Sequence, residues 1–401
     1  MSRGVLAAIL CSIPFSCAAA AICPDAFSPR AKELLADSIE LKETEHKLNV
    51  IYFIGNDNEP AADYERRLSE LLLYLQQFYG KEMARNGYGN RSFGLPMLPN
   101  GMVDITVVRG KESHKKYYYS GEGAELCLKE LEEYYAKHPD KKRSQHNFVI
   151  MRTHYDDKHN DANPGGVPFF GYGVHCFALD YVGFDIEHLG QDTTAGHLLT
   201  KWYGGFAHEL GHGLNLPHNN GTRTQNTELG TPLMNSGNYT FGYKPTYLTP
   251  ASCSILARSE TFALKGNKTP YYAYQQQPEV EALHVVYDGD CLHVSLRCTE
   301  NHTVNAYVQD PPFAVNQDYD AVVFRVPEKG PAQAGKQLHV VSIPLDELGG
   351  LKNIRHGEQR VDLRFCAPDG SRYRTYVPIQ WENLKPGDVI PVGEMPFFKG
   401  Y

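Results

Sequence analysis

Three histidines and one glutamate lie close together in the segment GGFAHELGHGLNLPH, which runs from Gly204 to His218. His208 and His212 are four residues apart, so on an α-helix their side chains project from one face, one turn apart. This spacing suits two ligands of one zinc ion, and Glu209 is placed to take a proton from a water molecule. His218 offers a third ligand, and a fourth position left open is typical of catalytic zinc.

The third histidine can reach the other two only if the helix ends soon after His212. Gly213 weakens the helix, Asn215 adopts the left-handed conformation at low cost, and Pro217 cannot continue a helix. We therefore predict a helix over 194–214, followed by a turn that brings His218 back under the metal.

The pattern HExxHxxNxxH resembles the extended zinc motif of the metzincin clan of proteases, with Asn215 at the usual glycine position. Downstream, Met234 in PLMNSG resembles the metzincin Met-turn, in which a methionine lies beneath the zinc site. Taken alone, Met234 is more typical of a plain core residue, but its position after the third histidine favours the turn. A bare HExxH also occurs by chance, which would make His208 and His212 ordinary helix residues. The third histidine and the turn favour the metal site.

The elements that must position this motif read as a mixed sheet covered by helices. Apolar patterns predict three strands and two long helices in the order βαβαβ, together with a short charged helix at 37–46. The strands are predicted at 48–54, 102–108 and 147–151. One long helix is predicted to begin at Pro60, and the other to span 125–136. The segment 167–173 is aromatic but broken by Pro168 and glycines, which predicts an edge strand or an irregular rim above the zinc site. An extended substrate could pair its backbone with such an edge.

The pattern changes after the zinc region. Residues 263–278 read as a linker, and from 279 to 401 seven short β-rich runs separated by turn signals predict an all-β sandwich. This sandwich contains no group of residues of catalytic type. The predicted organisation is a catalytic domain at 22–262, the linker, and the sandwich.

The first 21 residues read as a secretory signal peptide. Arg3 precedes an apolar run at 5–15, and four alanines end at Ala21. We expect an exported protein without a membrane span. Cleavage leaves seven of the nine cysteines, for which disulfides are permitted but their connectivity is not readable.

The overall charge limits the partners. With 39 basic and 47 acidic residues the formal net charge is −8, which argues against a nucleic-acid partner and disfavours strongly anionic substrates unless a local patch reverses the charge. A monomer is expected.

Taken together, several runs resemble the mucin O-glycopeptidases that gut bacteria secrete. These runs are YERRLSELLLYLQQFYGKEM, NPGGVPF, CFALDY, LTKWYGG, AHELGHGLNLPHN, SGNYTFG, LTPASC and QDPPFAVNQDYDAV. The resemblance implies an α+β metzincin-like zinc protease domain followed by an all-β sandwich. It also implies cleavage on the N-terminal side of a serine or threonine that carries a mucin-type O-glycan, with His208, His212 and His218 as Zn²⁺ ligands and Glu209 as general base.

The resemblance also indicates candidate substrate-binding residues. Phe169 matches an aromatic residue that the family uses around the first N-acetylgalactosamine, whereas His154 replaces a tryptophan that lines the sugar site. Tyr119, in a run of three tyrosines, is another candidate sugar contact. Tyr239 lies five residues after Met234 and either donates a hydrogen bond to the oxyanion or packs structurally.

Two other functions remain open at this stage. One is a general secreted metalloendopeptidase that ignores glycans. The other is a glycan-binding protein with a vestigial zinc site, although an intact Glu209 argues against it because a binding module needs no positioned base.

Overall fold

The computed structural model describes residues 24–273, 277–313, 318–393 and 397–400. The predicted signal peptide, 1–21, lies outside the described residues. The first five strands form one mixed sheet in the order β2-β1-β3-β5-β4. Their bounds are β1 Asn49–Ile54, β2 Thr106–Arg109, β3 Asn147–Arg152, β4 Phe170–Tyr172 and β5 His175–Asp180. Four strands run parallel, and β4 pairs antiparallel with β5 at the edge.

Helices cover this sheet, as the βαβαβ pattern predicts. The α-helices of the described chain are α1 Pro29–Leu35, α2 Tyr64–Arg85, α3 Gly121–Lys137, α4 Thr194–Gly213, α5 Arg223–Leu229 and α6 Pro250–Leu256. Strands β1 and β3 are buried almost throughout because helices lie against both faces of a largely parallel sheet. None of the described helices combines the length and the apolar composition needed to cross a membrane.

The short helix predicted at 37–46 does not form. The backbone there is irregular and bonds to distant segments: Ile39 N–H donates to the Gln77 side chain over 2.8 Å, and Lys42 N–H donates to Asn90 O over 2.8 Å. These long-range partners satisfy the backbone groups that a helix would have used, so tertiary contacts override the local helix pattern.

Eleven further strands follow α4 in the described chain. They are β6 Thr231–Pro232, β7 Thr246–Tyr247, β8 Val280–Tyr287, β9 Cys291–Thr299, β10 Thr303–Gln309, β11 Val322–Val326, β12 Lys336–Pro344, β13 Glu358–Cys366, β14 Arg372–Gln380, β15 Val389–Ile390 and β16 Phe398–Lys399. Strands β8–β16 form two sheets in the orders β11-β10-β13-β14-β16 and β12-β9-β8-β15. All seven strands predicted in this region are present, and they surround a hydrophobic core of their own. The result is a two-domain fold, an α/β part followed by an all-β part.

The two domains contact each other immediately after the candidate zinc motif. Asn220 pairs in parallel with Val322 of β11, with Asn220 N–H donating to Ala321 O over 2.7 Å and Val323 N–H donating to Asn220 O over 3.0 Å. The chain that leaves His218 therefore joins the edge of the second domain's sheet.

Candidate active site

Helix α4 carries the first half of the motif. Its N-terminus is capped by the Thr193 hydroxyl, which accepts from Gly196 N–H over 3.1 Å, and its last helical residue is Gly213. Asn215 has φ of +74°, as the turn requires. Leu216 N–H then donates back to Gly211 O over 2.9 Å. The predicted helix and turn are confirmed, and the turn redirects the chain towards the face of α4 that carries the first two histidines.

The three histidines converge. Ligand atoms of His208, His212 and His218 all lie within 4.8 Å of one another. The Nε2 atoms of His212 and His218 are 3.0 Å apart. Two nitrogen lone pairs at this distance repel unless a cation or a proton lies between them, so the arrangement itself fits a positive ion.

The other ring nitrogen of each histidine has an oxygen partner. Nδ1 of His208 is 2.7 Å from Leu233 O, Nδ1 of His212 is 2.8 Å from Leu216 O, and Nδ1 of His218 is 3.2 Å from Asp318 Oδ1. With the proton on Nδ1, each Nε2 is unprotonated, and its lone pair is free to bind a metal ion. Burial lowers the pKa of His208 to about 4 and lowers that of His212 well below its usual value. Both imidazoles are therefore neutral at pH 7, the form in which histidine binds metals.

This donor set fits zinc. Three imidazole nitrogens on one side and a cavity on the other correspond to a catalytic site with an open position. The residues that would hold the ion are His208, His212 and His218.

Glu209 projects from α4 towards the edge of the sheet. Its Oε2 accepts from Gly171 N–H of strand β4 over 2.8 Å. The helix and the strand approach so closely that a Cβ on Gly171 would overlap His212 Cβ, which explains the glycine in this edge strand. Burial raises the pKa of Glu209 to about 7, against the opposing effect of the Gly171 hydrogen bond. A carboxylate with this pKa can both accept and return a proton near neutral pH.

Met234 packs against the helix that carries the first two histidines. Its side chain is 1% exposed and packs against Gly211, where a Cβ would overlap the Met234 sulfur. The preceding carbonyl, Leu233 O, is the oxygen that holds His208. Met234 and its neighbour therefore contact the part of α4 that carries His208 and His212.

The second domain contributes two residues that sequence patterns did not identify. Asp318 bonds to His218 and, through Oδ2, accepts from Arg364 Nη2 of β13 over 2.7 Å. Burial raises the pKa of Asp318, but the His218 hydrogen bond and the Arg364 charge outweigh it and leave that pKa below its usual range. The ring of Tyr319 stacks on His218 with a centroid distance of 3.5 Å. Both residues occur in the run QDPPFAVNQDYDAV, and the resemblance of this run to the family was the sequence feature that could have identified them.

The site opens into a cavity of about 490 Å³ between the two domains. Glu209, His212 and His218 line it on one side, with Phe169 and Tyr119 nearby. The Phe169 ring meets Trp202 edge to face at 5.1 Å and packs against Gly205, one helical turn before Glu209. The structure thus brings two of the candidate sugar contacts to the cavity that contains the histidines.

Two other candidates lie elsewhere. His154 is 7% exposed, with its ring 5.1 Å from that of His114, and it is not among the described residues that line the cavity. Burial lowers the pKa of His154 to about 4. Tyr239 is 65% exposed in the turn Ser236–Tyr239 and also lines no described part of the cavity. Their predicted roles therefore receive no support from position.

Comparison with known proteins adds the following. No protein-family model and no curated protein matches the chain. Solved structures do match it: wild-type OgpA from Akkermansia muciniphila is 48% identical with a TM-score of 0.83, covering 88% of this chain and 98% of that one. Catalytically inactive OgpA in complex with an O-glycopeptide substrate, glycodrosocin, is 47% identical with the same TM-score and coverage. A second crystal form of wild-type OgpA is 45% identical with a TM-score of 0.82, covering 92% and 99%.

These matches extend over both domains, so they cover far more of the chain than the zinc motif alone. The resemblance to O-glycopeptidases seen in the sequence is confirmed, and the chain belongs to the family of the O-glycopeptidase OgpA.

Proposed function

We propose that the protein is a zinc-dependent, metzincin-like endopeptidase that hydrolyses mucin-type O-glycoproteins on the N-terminal side of a glycosylated serine or threonine. The observation that carries this proposal is the convergence of ligand atoms from three imidazoles beside a cavity that Glu209 lines. It is supported by the family, since OgpA has been crystallised with an O-glycopeptide substrate.

The residues divide the chemistry between them. Zinc held by His208, His212 and His218 would polarise the scissile carbonyl and lower the pKa of water to about 7. Glu209 takes the proton of the attacking water and passes it to the leaving amine. Its Oε2 is held by Gly171 N–H, so Oε1 remains for the water. The pKa of Glu209, raised to about 7 by burial, suits this exchange.

A hydroxyl donor for the oxyanion comes from the second domain. Tyr319 lines the cavity, stacks on His218, and has its pKa raised by burial and then by the charge of nearby Glu209. Tyr239, by contrast, is exposed and lines no described part of this cavity. We assign the oxyanion hydrogen bond to Tyr319 in preference to Tyr239.

The substrate would lie along strand β4. This edge strand is paired on one side only, with β5, so its other side is available for an extended peptide. Phe169 and Tyr119 offer aromatic faces to a sugar on that peptide. Export through the N-terminal segment and a monomeric state complete the proposal on sequence grounds.

The test is mass spectrometry of one defined peptide incubated with zinc-loaded protein. The peptide is supplied bare, with N-acetylgalactosamine on one threonine, with galactose added, and with sialic acid beyond that. We expect cleavage of glycosylated forms only, immediately before the threonine. Equal cleavage of the bare peptide would indicate a general endopeptidase, and binding without cleavage would indicate a glycan-binding protein.

A further inference from the structure

One face of the second domain's sheet borders the catalytic cavity. In β10, β13 and β14 the residues alternate, with one set facing the sandwich core and the other facing the α/β domain. The second set includes Gln309, Arg360 and Arg374, and all three line the cavity that contains Glu209. Gln309 lies directly opposite Arg360 across the β10–β13 ladder, so their side chains are neighbours.

These three side chains present hydrogen-bond donors without acceptors. Nε2 of Gln309 and Nε of Arg374 are buried and have no hydrogen-bond partner among the described residues, and the buried Nε of Arg360 lies 3.3 Å from Asp362 Oδ1 without hydrogen-bond geometry. Gln309 is 3% exposed. Buried donors of this kind are costly unless a ligand or water satisfies them. Since all three are N–H groups, the missing partner is an acceptor.

The local charge also calls for an anion. Arg360 and Arg374 share one carboxylate, Asp362, with N–O distances of 3.3 and 4.0 Å. A single carboxylate cannot neutralise two guanidinium groups. Burial lowers the pKa of Arg360, and the neighbouring Arg374 and Arg364 charges lower it further despite Asp362.

Aromatic rings hold Arg360 in place. Its guanidinium carbon lies 4.4 Å from the centroid of the Phe313 ring and 5.2 Å from that of the Tyr376 ring. A guanidinium held between rings beside a cavity is set for planar recognition of an oxyanion.

We propose that Gln309, Arg360 and Arg374 form a subsite for an anionic group, a carboxylate or a sulfate ester, on the bound glycopeptide. This inference rests on the proposed function and specifies its substrate class. The anion has two sources with the same chemistry: an acidic side chain of the peptide, or an acidic substituent of the glycan such as sialic acid.

The experiment measures binding of fluorescent glycopeptides by anisotropy, using the full chain with Glu209→Gln so that no peptide is cleaved. The probes are a neutral peptide with a neutral O-glycan, the same glycopeptide with aspartate placed on either side of the glycosylated threonine, and the neutral peptide with a sialylated or a sulfated glycan. Each is measured against three additional substitutions: Arg360→Gln, Arg374→Gln and Arg297→Gln. The last makes the same change on β9 of the opposite sheet, away from the cavity.

We expect one acidic class to bind about tenfold more tightly than the neutral glycopeptide, as one charge-assisted contact predicts. The ratio of the dissociation constants for the neutral and the acidic glycopeptide should fall towards one in Arg360→Gln and Arg374→Gln and should stay near ten in Arg297→Gln. Circular dichroism confirms the fold of each variant. A preference for aspartate assigns the anion to the peptide, and a preference for sialic acid or sulfate assigns it to the glycan. Equal binding of every probe, or a preference that survives both cavity substitutions, would overturn the subsite.

Cleavage by the unsubstituted chain separates this inference from the proposed function. Acid-selective binding without cleavage refutes the peptidase alone, whereas cleavage with no acid preference in binding refutes the subsite alone. Absence of binding to every glycopeptide refutes both.

Discussion

The two sides of the candidate zinc site are built differently. On the helix side, His208 and His212 are one turn apart on α4, and backbone carbonyls hold both rings. On the other side, His218 depends on Asp318 and Tyr319, residues one hundred positions later in a second domain. The helix side is held entirely by residues of the first domain, whereas the His218 side is complete only when the domains are docked. Substitutions should therefore act on the two sides through different measurable quantities.

The largest effect is expected on the helix side. Glu209→Gln removes the proton acceptor but keeps the shape and the Gly171 contact, so kcat should fall by about 10³-fold while zinc content stays unchanged by metal analysis. The control is Glu228→Gln, an exposed glutamate of α5, which should retain full activity. Turnover by Glu209→Gln near the wild-type rate would contradict the assignment.

The pH dependence of unfolding tests the contact between the end of α4 and the linker, which His146 makes. His146 donates from Nδ1 to Gly213 O over 2.7 Å, and its Nε2 is 2.5 Å from the Tyr272 hydroxyl. Burial lowers its pKa from 6.5 to about 4, so the unfolded chain binds the proton first as the pH falls. The stability due to neutral His146 is complete above pH 6.5 and is lost between pH 6.5 and about 4. The shift corresponds to about 3 kcal/mol.

Urea unfolding of the metal-free protein at pH 7 and pH 4 measures this loss. Wild type should lose about 3 kcal/mol more over this range than His146→Gln, which has no imidazole to protonate at that site. His284→Gln alters an exposed histidine and should match wild type. Identical pH dependence of wild type and His146→Gln would refute the prediction.

On the His218 side, Asp318→Asn should weaken zinc binding. The amide keeps the size of the carboxylate but loses the charge that orients His218 and pairs with Arg364. Loss of such a partner typically reduces metal affinity about 10- to 100-fold, which chelator competition measures directly. Asp320→Asn changes an exposed neighbour and should leave the zinc affinity unchanged. Equal zinc affinity in both variants would remove Asp318 from the site.

The smallest effect compares two tyrosines. Tyr319→Phe should lower kcat about tenfold, or 1.4 kcal/mol, with little change in zinc affinity because the ring that stacks on His218 remains. Tyr239→Phe should lower kcat by less than about twofold, because this substitution removes no contact to the transition state. The reverse order would return the oxyanion role to Tyr239.

Local features of both fold and site were predictable. The α4 helix, the left-handed Asn215 and the β4 edge follow from spacing and backbone preference within a few residues. The helix prediction for 37–46 was wrong because the hydrogen-bond partners of this segment, such as Gln77 and Asn90, are distant in sequence.

The places of Asp318 and Arg360 at the cavity were not predicted either, because they too depend on partners that are distant in sequence. An acidic residue or an alternating arginine in a β-rich run looks like an ordinary solvated face until the docking of the second domain is known. His154 is a different case, since resemblance to a sugar-binding tryptophan predicted a place at the substrate, whereas the folded chain buries it beside His114 and off the described lining of the cavity, so its role stays a prediction.

The pairing of Asn220 with β11 has a consequence for how the molecule unfolds. Only one residue, Asn219, lies between His218 and this junction, so any motion that parts the domains pulls directly on this candidate metal ligand. A bound ion would stabilise the docked arrangement, because Asp318 of the second domain orients His218 and part of the binding free energy of the ion is lost when the domains part. The loaded protein is then expected to melt in a single cooperative transition, and chelation to divide that transition into two.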